Sequence, residues 1–240
     1  MIVETEVLLK KYIFNIIYME ILNLDNRDYH MHSLNFSDGI NTIDEIVKFS
    51  WEIWLTEIAI TDHSDIAIEK SSSNPPSWRW HIERRKNIFN DVNVIFWVEW
   101  DLLDEDWNVC FTIQWKEPDF IILSVHKKVY KWDLNNLNLA YEKAIIKYHK
   151  KIKFIWHPCL NKTSEFLDIK KLCDIANKYW IPLEINWTWL KWWKMNIEKH
   201  DKMLKYWEKF YINSDSHNLY ELKESRKFAI EYLKDKWYIK

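Results

Sequence analysis

Glycine is almost missing from this chain, which has one glycine in 240 residues, whereas a globular protein of this length usually carries on the order of 17. Cysteine is also scarce. Its three residues show no CxxC spacing, which argues against a disulfide framework or a thiolate zinc site and favours a reducing, cytoplasmic location. The 34 basic and 36 acidic residues nearly cancel, so the basic excess of a nucleic-acid-binding protein is lacking. Function must therefore be argued from a site.

Long hydrophobic runs are lacking as well. The first 27 residues are apolar in patches, but Glu4, Glu6, Lys10, Lys11 and Glu20 interrupt them. The segment has neither the length of a membrane span nor a signal-peptide cleavage pattern. We expect residues 1–27 to form an N-terminal extension packed on a single domain over residues 28–240.

What the chain does have is a regular alternation of short apolar runs with longer stretches of helical periodicity. The runs that predict strands are 57–61, 92–99, 119–125, 151–156, 181–186 and 209–214. The predicted helices lie near 42–54, 81–90, 136–149, 164–179, 196–207 and 219–235. Thr42 with Glu45 three residues later predicts a capping box at the first helix. Apolar strands that are each followed by a helix indicate an α/β fold with parallel strands covered on both faces.

Metal-capable side chains follow nearly every predicted strand, at the ends where parallel α/β barrels build their active sites. His30 and His32 form a separate His-x-His pair, whose side chains point the same way in an extended segment. Taken singly, each of these residues is more often a helix cap or a hydrogen-bonded core residue. Their coincidence favours a site for Zn²⁺, Mn²⁺ or Fe²⁺. The strand-end residues are Asp62, His63, Glu99, His126, His157, Asp215 and His217.

Seven motifs in fixed order carry a family resemblance: "DYHMHS…SDG", "IAITDHSD", "WVEWD", "ILSVH", "IWHP", "LEIN" and "NSDSHN". Together they resemble the PHP family, the polymerase and histidinol phosphatase domain, in its stand-alone bacterial phosphoesterase form. The resemblance covers about residues 28–235. It implies a distorted (β/α)7, TIM-like barrel with a cluster of two or three divalent ions at the carboxyl ends of its strands.

The resemblance also implies a ligand set. His30 and His32 would bind one ion with Glu99 and Asp215, and Glu99 would bridge to a second ion held by His126 and His157. A third ion would be held by Asp38, His63 and His217, and Asp38 replaces a histidine of some relatives.

The implied reaction is attack on phosphorus by a water or hydroxide that bridges the ions. Glu99, His157 and Asp215 would be the catalytic ligands in this scheme. Asp62 and Ser64 are expected to orient ligands. Arg79 is the arginine expected to reach the substrate phosphate.

The function implied is hydrolysis of a small phosphate monoester, with L-histidinol phosphate as the leading substrate and histidine biosynthesis as the pathway. A nucleotide phosphatase or small nuclease of the same family is the alternative within enzymes. A non-catalytic metal-binding PHP module is the alternative outside enzymes. A small phosphorylated substrate is the expected partner, with neither a membrane nor a nucleic acid.

Tryptophan is as abundant as glycine is rare, with 17 residues. Trp54, Trp97, Trp156 and Trp180 stand where PHP relatives typically carry glycine, at tight turns and close backbone approaches. We interpret most of the tryptophans as glycine codons, UGA in a variant genetic code, that have been read as tryptophan. The lysine-, isoleucine- and asparagine-rich usage fits an AT-rich genome. The alternative is a tryptophan-rich surface that binds sugars or stacked bases.

Overall fold

The protein is described by a computed structural model that covers residues 19–71, 84–110, 121–187, 195–207 and 209–239. Nine strands form one sheet in the order β1-β9-β8-β7-β6-β4-β3-β2, and β5 pairs antiparallel with β4. All other pairs of named strands are parallel. The strands are β1 (Glu20–Ile21), β2 (Arg27–Asp28), β3 (Glu57–His63), β4 (Asn93–Leu102), β5 (Val109–Cys110), β6 (Ile121–Ser124), β7 (Ile152–Ile155), β8 (Leu183–Asn186) and β9 (Lys209–Asn213).

The path from β2 through β3, β4, β6, β7 and β8 to β9 contains seven parallel strands in chain order. Its two ends approach each other, because Met31 and Ser216, which follow β2 and β9, form an isolated parallel bridge. The Tyr29 amide also donates to Asn213 Oδ1 at 3.1 Å. This arrangement is the distorted TIM-like barrel that the family resemblance implies.

The described part of the chain has seven helices, of which the last follows β9 and the others lie between strands. They are α1 (Ile43–Glu52), α2 (Asp65–Ser71), α3 (Leu137–Tyr148), α4 (Asn161–Ser164), α5 (Ile169–Tyr179), α6 (Ile197–Tyr206) and α7 (Leu219–Asp235). A short 3-10 turn, Leu134–Asn136, precedes α3. The capping box predicted at Thr42 and Glu45 is confirmed, since both of its hydrogen bonds form.

The helix predicted over 81–90 is wrong where the structure describes it, since residues 85–90 are not helical. Asn87 Oδ1 accepts hydrogen bonds from the amides of Phe89 and Asn90, at 2.9 and 3.4 Å. A side chain that bonds to nearby amides in this way stabilises a turn in competition with a helix. Helix α2, which directly follows β3, was not predicted.

Apolar side chains fill both sides of the sheet. Inside the barrel, one cluster gathers side chains from different strands: Tyr29, Ala59, Trp97, Ile122, Phe154, Trp156 and Tyr211. Outside it, helices pack on the strands through apolar faces; the buried positions of α3 are Leu137, Ala140, Tyr141, Ala144 and Ile145. Their spacing is that of one helix face. The helices therefore hold the strand ends in fixed positions.

Part of the predicted N-terminal extension belongs to the sheet, because β1 pairs with β9 through Glu20 and Lys209. The boundary between an extension and the domain at residue 28 stays a prediction. No helix of the described segments is long and apolar enough to cross a bilayer.

Candidate metal centre

A cluster of histidines and carboxylates lies at the carboxyl ends of the strands. The register of β3 and β4 sets His63 beside Glu99, and the extended segment after β2 delivers His30 and His32. Asp215 follows β9, in the same region. The structure brings together eight of the nine predicted ligands in three overlapping groups: His30, His32 and Asp215; His63, Glu99 and His126; and His32, Asp38, His63 and His217.

The innermost group has the spacing of metal ligands. His30 Nε2 lies 3.2 Å from His32 Nε2, and Asp215 Oδ1 lies 3.3 Å from each of these nitrogens. In a tetrahedral site with bonds of about 2.0–2.1 Å, neighbouring ligand atoms stand about 3.3–3.4 Å apart. The three atoms thus form a near-equilateral triangle of the size that such an ion requires.

Glu99 joins the groups. Its fully buried carboxylate lies 2.6 Å from His63 Nδ1, 3.4 Å from His126 Nε2 and 3.6 Å from His32 Nε2. A carboxylate with two oxygens facing different imidazoles is suited to bridge two ions, the role expected of it.

Asp38 completes the outer group. Its Oδ1 lies 3.5 Å from His63 Nε2 and 3.4 Å from His217 Nε2. The Asp38 side chain is 38% exposed, whereas those of His32 and Glu99 are fully buried. The cluster is therefore open to solvent at Asp38.

A ring of second partners orients these ligands. Glu184 Oε1 lies 2.9 Å from His30 Nδ1, and Asp101 Oδ1 lies 2.6 Å from His126 Nδ1. Each contact leaves the Nε2 atom of the histidine facing the cluster, the carboxylate–histidine arrangement common around metals. Asn186 Nδ2 similarly donates to Asp215 Oδ2 at 3.0 Å.

Asp62 and Ser64 both lie in this ring. The Ser64 hydroxyl donates to Asp101 Oδ2 at 2.7 Å and thereby supports the partner of His126. Asp62 accepts from the amide and the hydroxyl of Ser33, both at 2.7 Å, and so fixes the backbone next to His32.

Sequence reasoning missed Asp101 and the role of Glu184. A signal for Asp101 was present, because it lies two residues after Glu99 in one strand and so faces the same side.

Burial and charge set the protonation of the cluster. Burial lowers the pKa of His30 and of His32, which favours the neutral imidazole that binds metals. Burial raises the pKa of Asp215 to about 6. Burial also disfavours the Glu99 carboxylate, but the charge of nearby His63 and the other imidazoles outweighs it, so the pKa of Glu99 lies below its ordinary value.

His217 has the opposite shift. Burial would lower its pKa, but the hydrogen bond to Asp38 and the charge of Asp215 raise the pKa to about 9. A metal ion that bound through His217 would therefore displace a proton near neutral pH.

The donor set fits divalent metal ions. It consists of imidazoles and carboxylates at ligand spacing, without thiolates. Cys159 is buried and packs its sulfur 3.8 Å from Met203 Sδ, away from the cluster. This chemistry suits Zn²⁺, Mn²⁺ or Fe²⁺.

His157 is the predicted ligand that joins none of the three groups. Its ring centroid lies 5.8 Å from that of His126, and the indole of Trp156 lies against it, with ring centroids 2.9 Å apart. Aromatic pairs pack with centroids about 4.5–7 Å apart. Trp156 thus crowds His157, and His157 lies apart from the other predicted ligands.

A cavity of about 620 Å³ opens onto the cluster, lined on one side by Asp38, His63, His126 and His217. Four lysines line it as well: Lys70, Lys127, Lys128 and Lys162. Arg79, the predicted phosphate contact, lies outside the described residues. The cations that the structure places at the cavity are therefore lysines.

Comparison with known proteins agrees with this geometry. The family model for the PHP domain matches residues 28–214. Among the solved structures that share the fold are the following two. HisK of Listeria monocytogenes, a proposed histidinol phosphatase, aligns with a TM-score of 0.53 at 13% identity, over 82% of this chain and 97% of its own. Histidinol phosphate phosphatase of Lactococcus lactis, solved with zinc, L-histidinol and phosphate, aligns with a TM-score of 0.50 at 15% identity, over 88% of this chain and 93% of its own. No curated protein matches the sequence.

Proposed function

The chain belongs to the PHP domain family, and from this premise we propose that it is a metal-dependent phosphoesterase that hydrolyses a small phosphate monoester, as histidinol phosphatases do. The observation that carries the proposal is the set of three overlapping His and carboxylate groups at one end of the barrel, beside an open cavity. We further propose L-histidinol phosphate as the substrate, histidine biosynthesis as the pathway and the cytoplasm as the location. The three cysteines, all free thiols, agree with a reducing compartment.

The position of each residue in the cluster indicates which ion it would hold. His30, His32 and Asp215 would hold one ion, and Glu99 would link it to a second at His63 and His126. Two or three divalent ions bound here would activate water and screen the charge of the phosphate.

The remaining residues of the site orient ligands and bind substrate. Glu184 and Asp101 keep the ring nitrogens of two ligands aimed at the cluster. The lysines of the cavity would attract the phosphate dianion and hold it at the open side of the cluster. Thr163, buried in the cavity wall, belongs to the same surface.

A nucleotide substrate is the second candidate. Four lysines at one cavity supply more positive charge than a single phosphate group needs, which favours a substrate with a second anionic group.

Phosphate release from a panel of phosphoesters tests the proposal, with Zn²⁺ or Mn²⁺ supplied in turn. We expect turnover that requires metal and falls by about 100-fold or more in Glu99→Gln, since that change weakens two ion sites. Glu57→Gln is the matched control. Glu57 begins β3, at the end of the barrel away from the cluster, so this variant should retain activity. Preference for L-histidinol phosphate supports the first candidate, and preference for nucleotides supports the second. Silence on every phosphoester with the ions bound would instead indicate a non-catalytic metal-binding module.

A further inference from the structure

Four tryptophans occupy backbone conformations that favour glycine. Among the described residues, six residues other than glycine have positive φ: Trp54 (67°), Trp107 (63°), His157 (25°), Trp180 (58°), Asp215 (47°) and Trp237 (62°). Asp215 belongs to the metal cluster and His157 lies beside it, a region where strained backbone is often retained for function. The other four are all tryptophan, although tryptophan makes up only 17 of the 240 residues. A large side chain with a Cβ is poorly suited to this region.

Three of these four tryptophans follow a helix in the same type of capping motif. After α1, the amide of Leu55 donates to Ser50 O at 2.9 Å and the amide of Trp54 donates to Trp51 O at 3.0 Å. This pair of bonds defines a Schellman motif, in which the residue with left-handed backbone is usually glycine.

The same pair of bonds closes two other helices. At the end of α5, Ile181 bonds to Ala176 O and Trp180 to Asn177 O, at 3.0 and 3.1 Å. At the end of α7, Tyr238 bonds to Leu233 O and Trp237 to Lys234 O, both at 2.9 Å. Trp180 and Trp237 thus occupy the glycine position of this motif, as Trp54 does.

The fourth, Trp107, lies in the hairpin loop between β4 and β5. The Leu103 amide donates to Asn108 O at 2.8 Å across this loop, so Trp107 occupies its last position. Left-handed residues at such positions of hairpin loops are typically glycine. The indoles of Trp54, Trp180 and Trp237 project into solvent, with exposures of 78%, 69% and 84%. Burial of the indole therefore does little to offset the unfavourable left-handed backbone at these three tryptophans.

Trp156 shows a different conflict, inside the metal centre. Its side chain is buried, with 2% exposure, and its indole N–H finds no acceptor among the described residues. The ring crowds His157 and lies 4.8 Å from the ring of His30 and 5.0 Å from that of His126. A buried N–H without a partner is destabilising. Glycine at position 156 would remove the buried indole N–H and leave His157 room to approach His126 and Glu99.

We propose that residues 54, 107, 156, 180 and 237 are glycine in the protein that the cell makes, and that glycine at 156 completes the metal centre by admitting His157. The part about residue 156 rests on the proposed metal site, whereas the other four positions depend only on the backbone. Trp97 is also interpreted as glycine from the sequence, but the proposal does not include it. Trp97 lies within strand β4 and stacks on Tyr29, with ring centroids 5.3 Å apart.

Peptide mass spectrometry of the protein from its own cells tests the identity of the residues. Glycine at 54, 107, 180 and 237 is the expected result. Tryptophan at these positions would overturn the proposal, whatever the protein catalyses.

Thermal unfolding of recombinant variants tests the physical reason. Trp54→Gly should raise the melting temperature by about 2–4 °C, because it removes a left-handed side chain. Trp51→Gly, three residues earlier but inside α1 and also exposed, is the control. It should lower the melting temperature by about 2–4 °C, the usual effect of glycine in a helix. Equal shifts in both variants would contradict the argument.

Metal content tests residue 156. Trp156→Gly should bind at least one more equivalent of Zn²⁺ or Mn²⁺ than the tryptophan form, or bind the same ions more than 10-fold more tightly, because His157 becomes available. Its melting temperature should change little, whereas removal of a well-packed tryptophan would lower it by on the order of 10 °C. If Trp156→Gly fails to fold, the same assays on Trp156→Ala decide. A large loss of stability without a gain in metal would overturn this part, and added metal without turnover would count only against the proposed function.

Discussion

Glu184 offers a quantitative test of how the metal centre is supported. Its buried carboxyl accepts from His30 and from Asn213 Nδ2, with Oε1 at 2.9 Å from each donor. The His157 amide donates to Oε2 at 3.4 Å. Glu184→Leu would leave these donors buried without an acceptor, and each such group costs about 1–3 kcal/mol. The ring of His30 would lose the contact that aims Nε2 at His32 and Asp215.

The expected effect of Glu184→Leu is a 10–100-fold weaker metal affinity, as is usual when the partner of a ligating histidine is removed, or about 1.4–2.8 kcal/mol. Glu184→Gln should be milder, within about 10-fold, because the amide oxygen still accepts a hydrogen bond. Burial raises the pKa of Glu184 well above its ordinary value, and glutamine keeps the acceptor oxygen without a charge to bury.

Competition with a chromophoric chelator measures these affinities, and thermal unfolding shows that each variant is folded. Glu57→Leu, at the other end of the barrel, is the matched control and should bind metal as the parent does. The reasoning is refuted if folded Glu184→Leu binds Zn²⁺ or Mn²⁺ as tightly as the parent.

Three further predictions follow from the site. Asp101→Leu should weaken metal binding by about 10-fold or more, since His126 loses its partner; chelator competition measures this, and an unchanged affinity would contradict it. Metal affinity should fall as the pH is lowered from 9 towards 6, because the raised pKa of His217, about 9, makes protons compete with the ion; proton release measured by calorimetry in two buffers checks the sign. Removal of metal by a chelator should lower stability by about 2.7 kcal/mol relative to ions at 100 times their dissociation constant, and a melting temperature that does not respond would count against a metal-binding fold.

The sequence predicted the architecture and most of the cluster because strand ends in a parallel barrel converge on one rim. Any ligand at or just beyond the end of a strand, such as His63 or Asp215, therefore reaches the same place, and local sequence is enough to find it. The grouping of the ligands was less accessible. His63 faces Glu99 as a result of the register between β3 and β4, and register depends on packing across the whole sheet.

The partners Asp101 and Glu184 were harder to find from sequence. Strand alternation places Asp101 on the same side as Glu99, but nothing local shows which imidazole a strand carboxylate will contact. The absence of the predicted helix at residues 85–90 has a simpler cause. Its periodicity was adequate, but the Asn87 side chain bonds to the amides of Phe89 and Asn90 and stabilises a turn.

The scarcity of glycine can be compared with the positions where the backbone requires it. Gly39, the one glycine, lies where a Cβ would overlap the carbonyl of His32, so the close approach at the metal centre requires it. The sequence indicated that tryptophans replace glycine elsewhere, but only the backbone distinguishes Trp54 and Trp180 from Trp97.

Metal-dependent phosphate release is the measurement that tests the central claim most directly. The protein, stripped of metal and then given Zn²⁺ or Mn²⁺, is assayed on L-histidinol phosphate and nucleotides in the tryptophan form and in Trp156→Gly, with Glu99→Gln as the inactive reference. We predict release only with metal and almost none in Glu99→Gln. Both forms binding metal in full and releasing no phosphate from any substrate would contradict the assignment of a phosphoesterase.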